Sequence, residues 1–525
     1  MQGMGAKRNG QRQHLQAAAD GAFRPAIPLV LAWGILAGCS FEPPLHLPQI
    51  PSSAGYTHGP APTRTAGART AGGVPQQFLY GQSLPRKWWE LFHSPRLDEA
   101  VRRALINSPT IAAARAQLRQ ARASMQANAG IFYPQVSANF GASRQKTSGA
   151  SFGSHVPGST YSLFTGGIGV TYYPDIFGIN RLVYRGSRAQ AEFQRYQLAA
   201  AQLTLSGNVV NAAIGEAAVQ AQINATRDII AREHRLLSIT EAQYRAGATA
   251  YVNVLAQQAQ VLANDAALPP LEQQLAVYRH LMAVLGGEAP SEAQAHPFRL
   301  EDLSLPGKIP VALPSTLLRN RPDILAAEQQ MRYALAGIGI ARAQFFPVMT
   351  LSASAGTSSP TTGSFFSSSS SVWDVAAALT QPIFEGGRLT AQKKGAYAAY
   401  DMTLAAYKTT VLGAFQQVAD ALRALQHDGE TVQAEQRSLR TVQRELRVAE
   451  AAYRSGAADY LSLLSAEIAY QNARIASVRV VTQRYQDTAA LFVALGGDRW
   501  TAGTASQRHP ASVPAPPSTH PGVRP

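Results

Sequence analysis

The stretch YRSGAADYLSLLSAEIAY at residues 453–470 opens with the same phrase as YRAGATAYVNVLAQQAQV at residues 244–261. In both, an Ala-rich run of helical texture leads up to Tyr-Arg, a Gly follows two places after the Arg, and apolar periodicity resumes a few residues later. Gly247 and Gly456 stand where a helix ends in a left-handed residue, a conformation that Gly adopts at little cost. Each phrase therefore predicts the turn of a helical hairpin.

The helices that reach these turns are unusually long. Residues 181–246 and 388–455 contain no proline, and at about 1.5 Å per residue each stretch would run for roughly 100 Å. Small Ala side chains let helix backbones approach closely, and Gln, Arg and Glu keep the other faces wet. Pro269-Pro270 falls within the first return helix, where it predicts an interruption and a restart with proline in the first turn.

The repetition extends outward from the turns. Asn107 and Pro109 return 213 residues later as Asn320 and Pro322, and Tyr133-Pro134 returns at the same offset as Phe346-Pro347. Pro174 and Phe177 answer Pro382 and Phe384, the Tyr-Arg phrases are 209 residues apart, and LGGEA at 285–289 answers LGGDR at 495–499. Landmarks in one order, each half far longer than a solenoid unit, make this a doubled domain. The repeats are placed at residues 88–290 and 314–499, with a linker at 291–313.

Each half also carries period-two texture. Val136, Ala138 and Phe140, then Ile168, Val170 and Tyr172, alternate with small or polar residues; so do Met349, Leu351 and Ala353, and Trp373, Val375, Ala377 and Leu379. Alternation over about ten residues suits membrane barrel strands, and the loops between paired strands, KTSGASFGSHVPGST (146–160) and GTSSPTTGSFFSSSS (356–370), are long and polar as extracellular barrel loops are. Soluble sandwich strands alternate in the same way. Four strands cannot close a barrel, and an open sheet in lipid would expose unpaired backbone, so several chains must pool their strands.

Composition fits a chain that does not face bulk water everywhere: charged residues make up 15%, below the ~25% typical of soluble proteins. The net charge of +15 includes +3 from Lys7, Arg8, Arg12 and Arg24 less Asp20. The remaining basic residues are spread along helices without the motifs of nucleic-acid binding, which that footprint excludes as the main partner. A single cysteine precludes an intrachain disulfide. Basic residues followed by PAIPLVLAWGILAGC (25–39) have the shape of a secretory signal at residues 1–38, too short to span a membrane. LAGC resembles a lipobox, in which Cys39 is lipidated and becomes the mature N-terminus, and Ser40 after it implies sorting to the outer membrane. Residues 39–87 read as an extended tether and 500–525 as a disordered tail.

In order, LAGC, WWELF (88–92), Asn-x-Pro with its counterpart, YRxGA twice, LPPLEQQL (268–275), QPIFEGGR (381–388) and LGG closing each half give a specific pattern from Cys39 to about Gly497. The chain resembles the TolC-like outer membrane factors, within them the lipoprotein branch (NodT/OprM type) that serves resistance-nodulation-division (RND) efflux pumps. The resemblance implies a mixed α/β membrane protein. Three chains would form one 12-stranded outer membrane β-barrel, four strands from each, continuing into a long periplasmic α-helical barrel.

It implies further that the YRxG turns are periplasmic tips at which Tyr244, Arg245, Gly247, Tyr453, Arg454 and Gly456 meet an adaptor protein, coupled to an inner membrane RND transporter. Leu461 and Leu464 match an apolar pore constriction; as helix-packing core at i and i+3 they have an equally ordinary reading. Ser462 and Ser465 stand where family members often place pore-facing aspartates, with Asn253 and Ala256 at the equivalent sites of the first repeat, while Asp459 and Glu467 are out of phase.

Chemistry of the chain's own is not expected. GASFG (149–153) fits G-x-S-x-G but sits in a polar loop, no histidine pair has metal spacing, and the methionines are scattered. No catalytic or metal residue is assigned, and no cofactor beyond the covalent lipid. The expected function is a passive exit duct for drugs or other small molecules; a duct for type I protein secretion and a periplasmic coiled-coil scaffold are the alternatives.

Overall fold

The computed structural model describes residues 41–48, 55–70, 72–148, 158–292 and 297–497. Cys39 with its LAGC motif, the GASFG pentapeptide and the expected tail lie outside them. In chain order the elements are β1 (Gln77–Tyr80), α1 (Pro95–Asn107), α2 (Pro109–Ala129), β2 (Gln135–Lys146), β3 (Thr160–Tyr172), α3 (Ile179–Arg245), α4 (Tyr251–Gly286), β4 (Lys308–Val311), α5 (Pro314–Asn320), α6 (Pro322–Ala343), β5 (Val348–Ser359), β6 (Ser371–Thr380), α7 (Arg388–Arg454) and α8 (Tyr460–Leu495). The repeat is plain: α3 and α7 have 67 residues each, and α4 and α8 have 36 each. Among the described residues no helix is long and apolar enough to cross a membrane.

The fold divides into two compact units. One holds residues up to 46, 124–188 and 332–401; the other holds 47–123, 189–331 and 402 onward.

The first unit contains an antiparallel sheet in the order β2-β3-β5-β6. Its register brings the period-two residues into common rows: Ala138 opposite Ile168, Ile168 opposite Ala355, Ala355 opposite Trp373, and likewise Val136, Val170, Ala353 and Val375. Successive strand residues alternate faces, so the intervening row of Ser137, Gly169, Ser354 and Asp374 lies on the opposite face. One face is thus apolar and the other small and polar. The apolar one is uncovered: Phe140 is 82% exposed and Trp373 78%. The second loop is shorter than expected, because β5 continues to Ser359 and uses GTSS as strand. What remains is tied by serine hydroxyls, Ser370 donating to the Ser364 carbonyl at 2.7 Å and Ser367 likewise at 2.8 Å. In the same unit Phe41 packs on Phe346 with ring centroids 4.5 Å apart, and Arg185 pairs with Glu42.

The second unit is mostly helix around aromatic and aliphatic side chains. WWELF is a 3-10 turn whose Trp88, Trp89 and Phe92 are buried; Trp88 and Phe92 meet Phe492 at 5.8 and 6.0 Å, and Phe92 stacks on Tyr485 at 6.3 Å. The Asn-x-Pro landmarks end α1 and α5, each followed by a proline at the first position of the next helix, because the residue before proline is disfavoured in the α region.

Two expectations are corrected here. Pro269-Pro270 does not break the return helix: α4 runs through it. Leu268 and Leu271, flanking the prolines, pack against Val219, Ile223 and Leu275, and this burial on both sides offsets the lost backbone bonds. The segment read as a tether is also not free along its length, since β1 pairs in parallel with β4, Gln77 opposite Lys308 through Tyr80 opposite Val311. Fully buried Arg484 anchors it, donating to Thr65 Oγ1 and the Val74 carbonyl at 2.8 Å each, to Gln76 Oε1 at 3.3 Å and to the Gly72 carbonyl at 3.4 Å.

Candidate functional site

The two hairpin turns lie in the second unit and share one backbone design. Gly247 and Gly456 have φ of +73° and +74°. The Gly247 amide donates to the Tyr244 carbonyl at 2.9 Å and the Ala248 amide to Gln243 at 2.8 Å; Gly456 donates to Tyr453 at 3.1 Å and Ala457 to Ala452 at 2.8 Å. This pair of bonds closes a helix C-terminus around a left-handed glycine and satisfies its last carbonyls.

The restarts differ. Asp459 caps α8, accepting from the Ser462 amide at 2.9 Å and from the Ser462 hydroxyl, and these bonds hold its carboxyl below the usual range. Ala250 precedes α4 and offers no such cap.

Side chains divide the turns further. At the first, Tyr244 and Tyr251 are exposed, with ring centroids 5.2 Å apart. At the second, Tyr453 and Tyr460 are buried and meet edge to face at 6.2 Å. They join Leu236, Leu446, Leu463 and Ala466 in a core shared by both hairpins. Of the six residues expected at the tips, Tyr244, Arg245, Gly247, Arg454 and Gly456 are exposed; Tyr453 instead is buried and donates its hydroxyl to Gln243 Oε1 of the other hairpin at 2.6 Å.

The constriction residues do not share one environment. Leu461 is 67% exposed, with Ser462 and Ser465 also exposed, whereas Leu464 is half-buried against the shared core. The buried leucine of this turn is Leu463, which is 0% exposed. In the first repeat Val252 and Val254 occupy the positions of Leu461 and Leu463, and again the first is exposed and the second buried.

A polar layer below the core escaped the sequence reading. Glu233 of α3 accepts from the amides of Gln257 on α4 and Gln471 on α8. Tyr460 donates to Gln257 Oε1 at 2.7 Å, and Gln260 to Gln471 Oε1 at 3.4 Å. Glu467 is buried beside this layer, one turn before Gln471, and its Oε2 has no hydrogen-bond partner among the described residues. Burial first, then the charges of Glu233 and Glu450, push its carboxyl up from 4.5 to about 8. Burial also raises Glu233, opposed by its two amide donors. The signal for Glu467 and Gln471 was their helix phase, since Tyr460, Leu463, Glu467 and Gln471 follow at three, four and four residues on one face.

The arrangement is two hairpins, each closed by a left-handed glycine, with an exposed turn surface. The sequence profile of the outer membrane efflux protein family matches residues 100–287 and 313–497, nearly all of both repeats. The chain belongs to that family. It is an outer membrane efflux channel component, a transport duct and not an enzyme. The pyoverdine export outer membrane protein OpmQ of Pseudomonas aeruginosa is 31% identical over 78% of this chain and 87% of its own. The probable efflux pump outer membrane protein TtgC of Pseudomonas putida is 29% identical over 92% and 97%. Among solved structures, the outer-membrane channel OprN superposes with a TM-score of 0.78 at 26% identity, covering 88% of this chain and all of OprN.

Proposed function

We propose that three copies of this chain pool their sheets into one 12-stranded barrel in the outer membrane, continued by a periplasmic barrel of the long helices. Through this duct small molecules would leave the cell passively. One observation carries the reading: the sheet leaves a wide apolar face uncovered, and its β2 and β6 edges have no partner among the described residues. In lipid each such edge would leave backbone donors and acceptors unsatisfied at several kcal/mol apiece, a cost that other copies remove by supplying strands.

The remaining assignments follow from that orientation. The turns with Tyr244, Arg245, Gly247, Arg454 and Gly456 meet a periplasmic adaptor that couples the duct to an inner membrane RND pump, and Tyr453 supports the second turn from within. Leu461, with Leu464, Ser462 and Ser465 on the same part of α8, narrows the pore. Cys39 carries lipid, two residues before Phe41, which is packed on Phe346 just before β5 begins. TtgC is described as an efflux pump component and OpmQ as exporting pyoverdine; this chain's cargo is proposed as small molecules of the same general kind.

Native mass spectrometry of detergent-purified protein tests the assembly and the anchor together. The expected mass is roughly 150 kDa, three chains of 56.0 kDa less their leaders, with the first residue a lipidated Cys39. A stable monomer free of detergent would refute the barrel, and an unmodified N-terminus elsewhere would refute the anchor.

A further inference from the structure

Glu233 and Glu467 are two carboxylates buried where the hairpins of one protomer meet, and they belong to different hairpins. Glu233 has both oxygens occupied by amide donors, one from each hairpin. That arrangement suits an ionised carboxylate. Glu467 has a buried oxygen with no hydrogen-bond partner among the described residues, which suits a carboxyl that keeps its proton.

We propose that Glu467 and Glu233 form a proton-dependent latch between the two hairpins, which holds the tips together while one proton is retained on the pair and lets them part when it leaves to water. The proposal rests on, and deepens, the reading of the tips as the channel's narrow end.

The groups facing Glu467 can be named helix by helix. From α3 come Glu233 and Arg232, from α7 Glu450, and from α8 itself Tyr460. Helix α4 reaches the neighbouring layer, Gln257 donating to Glu233 and Gln260 to Gln471. Arg232 is the one cation among these groups and lowers Glu467, and its guanidinium also lies over the Tyr470 ring at 5.7 Å. Glu450 is drawn toward Arg454, 3.9 Å away. Two carboxylates oppose ionisation of Glu467 against one guanidinium in its favour, so the balance keeps the proton.

The sign follows from linkage. In joined hairpins Glu467 releases its proton only near pH 8; in parted hairpins, wet and away from Glu233, it does so in the ordinary carboxyl range. Between those limits the joined state holds one more proton. Each unit of rising pH therefore shifts the joined-to-parted ratio tenfold toward parted, and the shift levels off above about pH 8. An acidic periplasm closes the tips and an alkaline one loosens them.

The test uses full-length protein. Spin labels at Arg245→Cys and Ser455→Cys, compared with the unsubstituted parent, read the separation of the turns, and planar-bilayer recording reads the pore. From about pH 5 to about pH 9, the label distance should lengthen and the open probability rise, by up to tenfold per unit. In Glu467→Gln, which keeps shape and hydrogen bonding, both should stay flat at their acid values. Glu233→Gln should narrow the response without removing it, and carries the test alone if Glu467→Gln does not assemble. A label distance independent of pH, or a Glu467→Gln profile that follows the parent, overturns the latch. Labels that respond while conductance does not would uphold the latch and refute the tips as the narrow end. Conductance that responds while the labels stay static would overturn the latch.

Discussion

Leu461 and Leu463 are two residues apart on α8 and should fail in opposite ways. Leu463 is fully buried among Leu236, Tyr453 and Tyr460. Truncation to Ala removes that packing and leaves a cavity, at a cost of about 3 kcal/mol. This is a factor of roughly 150 in the local opening equilibrium, visible as faster amide exchange over residues 453–470. Leu461 is 67% exposed within the chain, so only about a third of a leucine's ~2 kcal/mol of burial is at stake, with a further ~0.5 kcal/mol for the poorer helix propensity of Ser. Leu461→Ser should therefore fold, assemble and exchange almost as the parent does.

Its effect should appear in transport. If Leu461 rings the constriction, a hydroxyl there wets an apolar gate, raising single-channel conductance and admitting large antibiotics that the outer membrane normally excludes. Leu463→Ala should loosen the tips without this selective gain in a stable channel. A folded, trimeric Leu461→Ser that conducts like the parent would refute the placement of the constriction.

The turn and the N-terminal segment give two further predictions. Gly456→Ala puts a Cβ into open space but at φ +74°, so the cost is conformational alone, about 1 kcal/mol, and amide exchange at 452–458 should quicken about fivefold; unchanged exchange would show the turn to be stabilised from outside. Arg484→Met removes donors from four acceptors and a counter-charge from Asp428, costing about 3 kcal/mol, and should expose residues 65–76 to limited proteolysis while leaving the trimer mass intact; a resistant segment would show that the β1-β4 pairing suffices to hold it.

What could be read in the sequence was whatever a local rule writes into it. Gly247 and Gly456 marked their turns because left-handed backbone selects glycine, and the four long strands were visible because one buried or lipid-facing side imposes period two. Pro269-Pro270 misled because a local breaker competes with packing, and Leu268 and Leu271 settle the contest from residues distant in sequence. Strands β1 and β4 have four residues each in Pro-rich surroundings, too short for alternation to register. The Glu233 layer was hidden for another reason: Glu and Gln recur on every wet face of these helices, and only the docking of one hairpin on the other decides which of them are buried.

The hairpins arose by duplication, yet they no longer bury themselves equally. Sixteen residues of α8 are buried within the chain, against five of α4. The large aliphatic residues that α4 leaves exposed are not scattered: Val252, Leu255, Leu262, Val277, Leu281 and Val284 follow spacings of three, seven, about four turns, four and three, which keep them on one stripe of a helix. A helix of a solitary soluble chain would not carry such a stripe along its length at no gain. In the proposed trimer it has an occupant, the flank of the next copy, and α4 is then the helix that closes the tunnel between protomers while α8 closes it within one. Polar substitution along this stripe, Val277→Glu with Leu281→Glu, should accordingly reduce the roughly 150 kDa species to single chains by native mass spectrometry, where α8 and its Glu467 layer stay intact. A trimer that survives both changes would mean that copies meet through some other face.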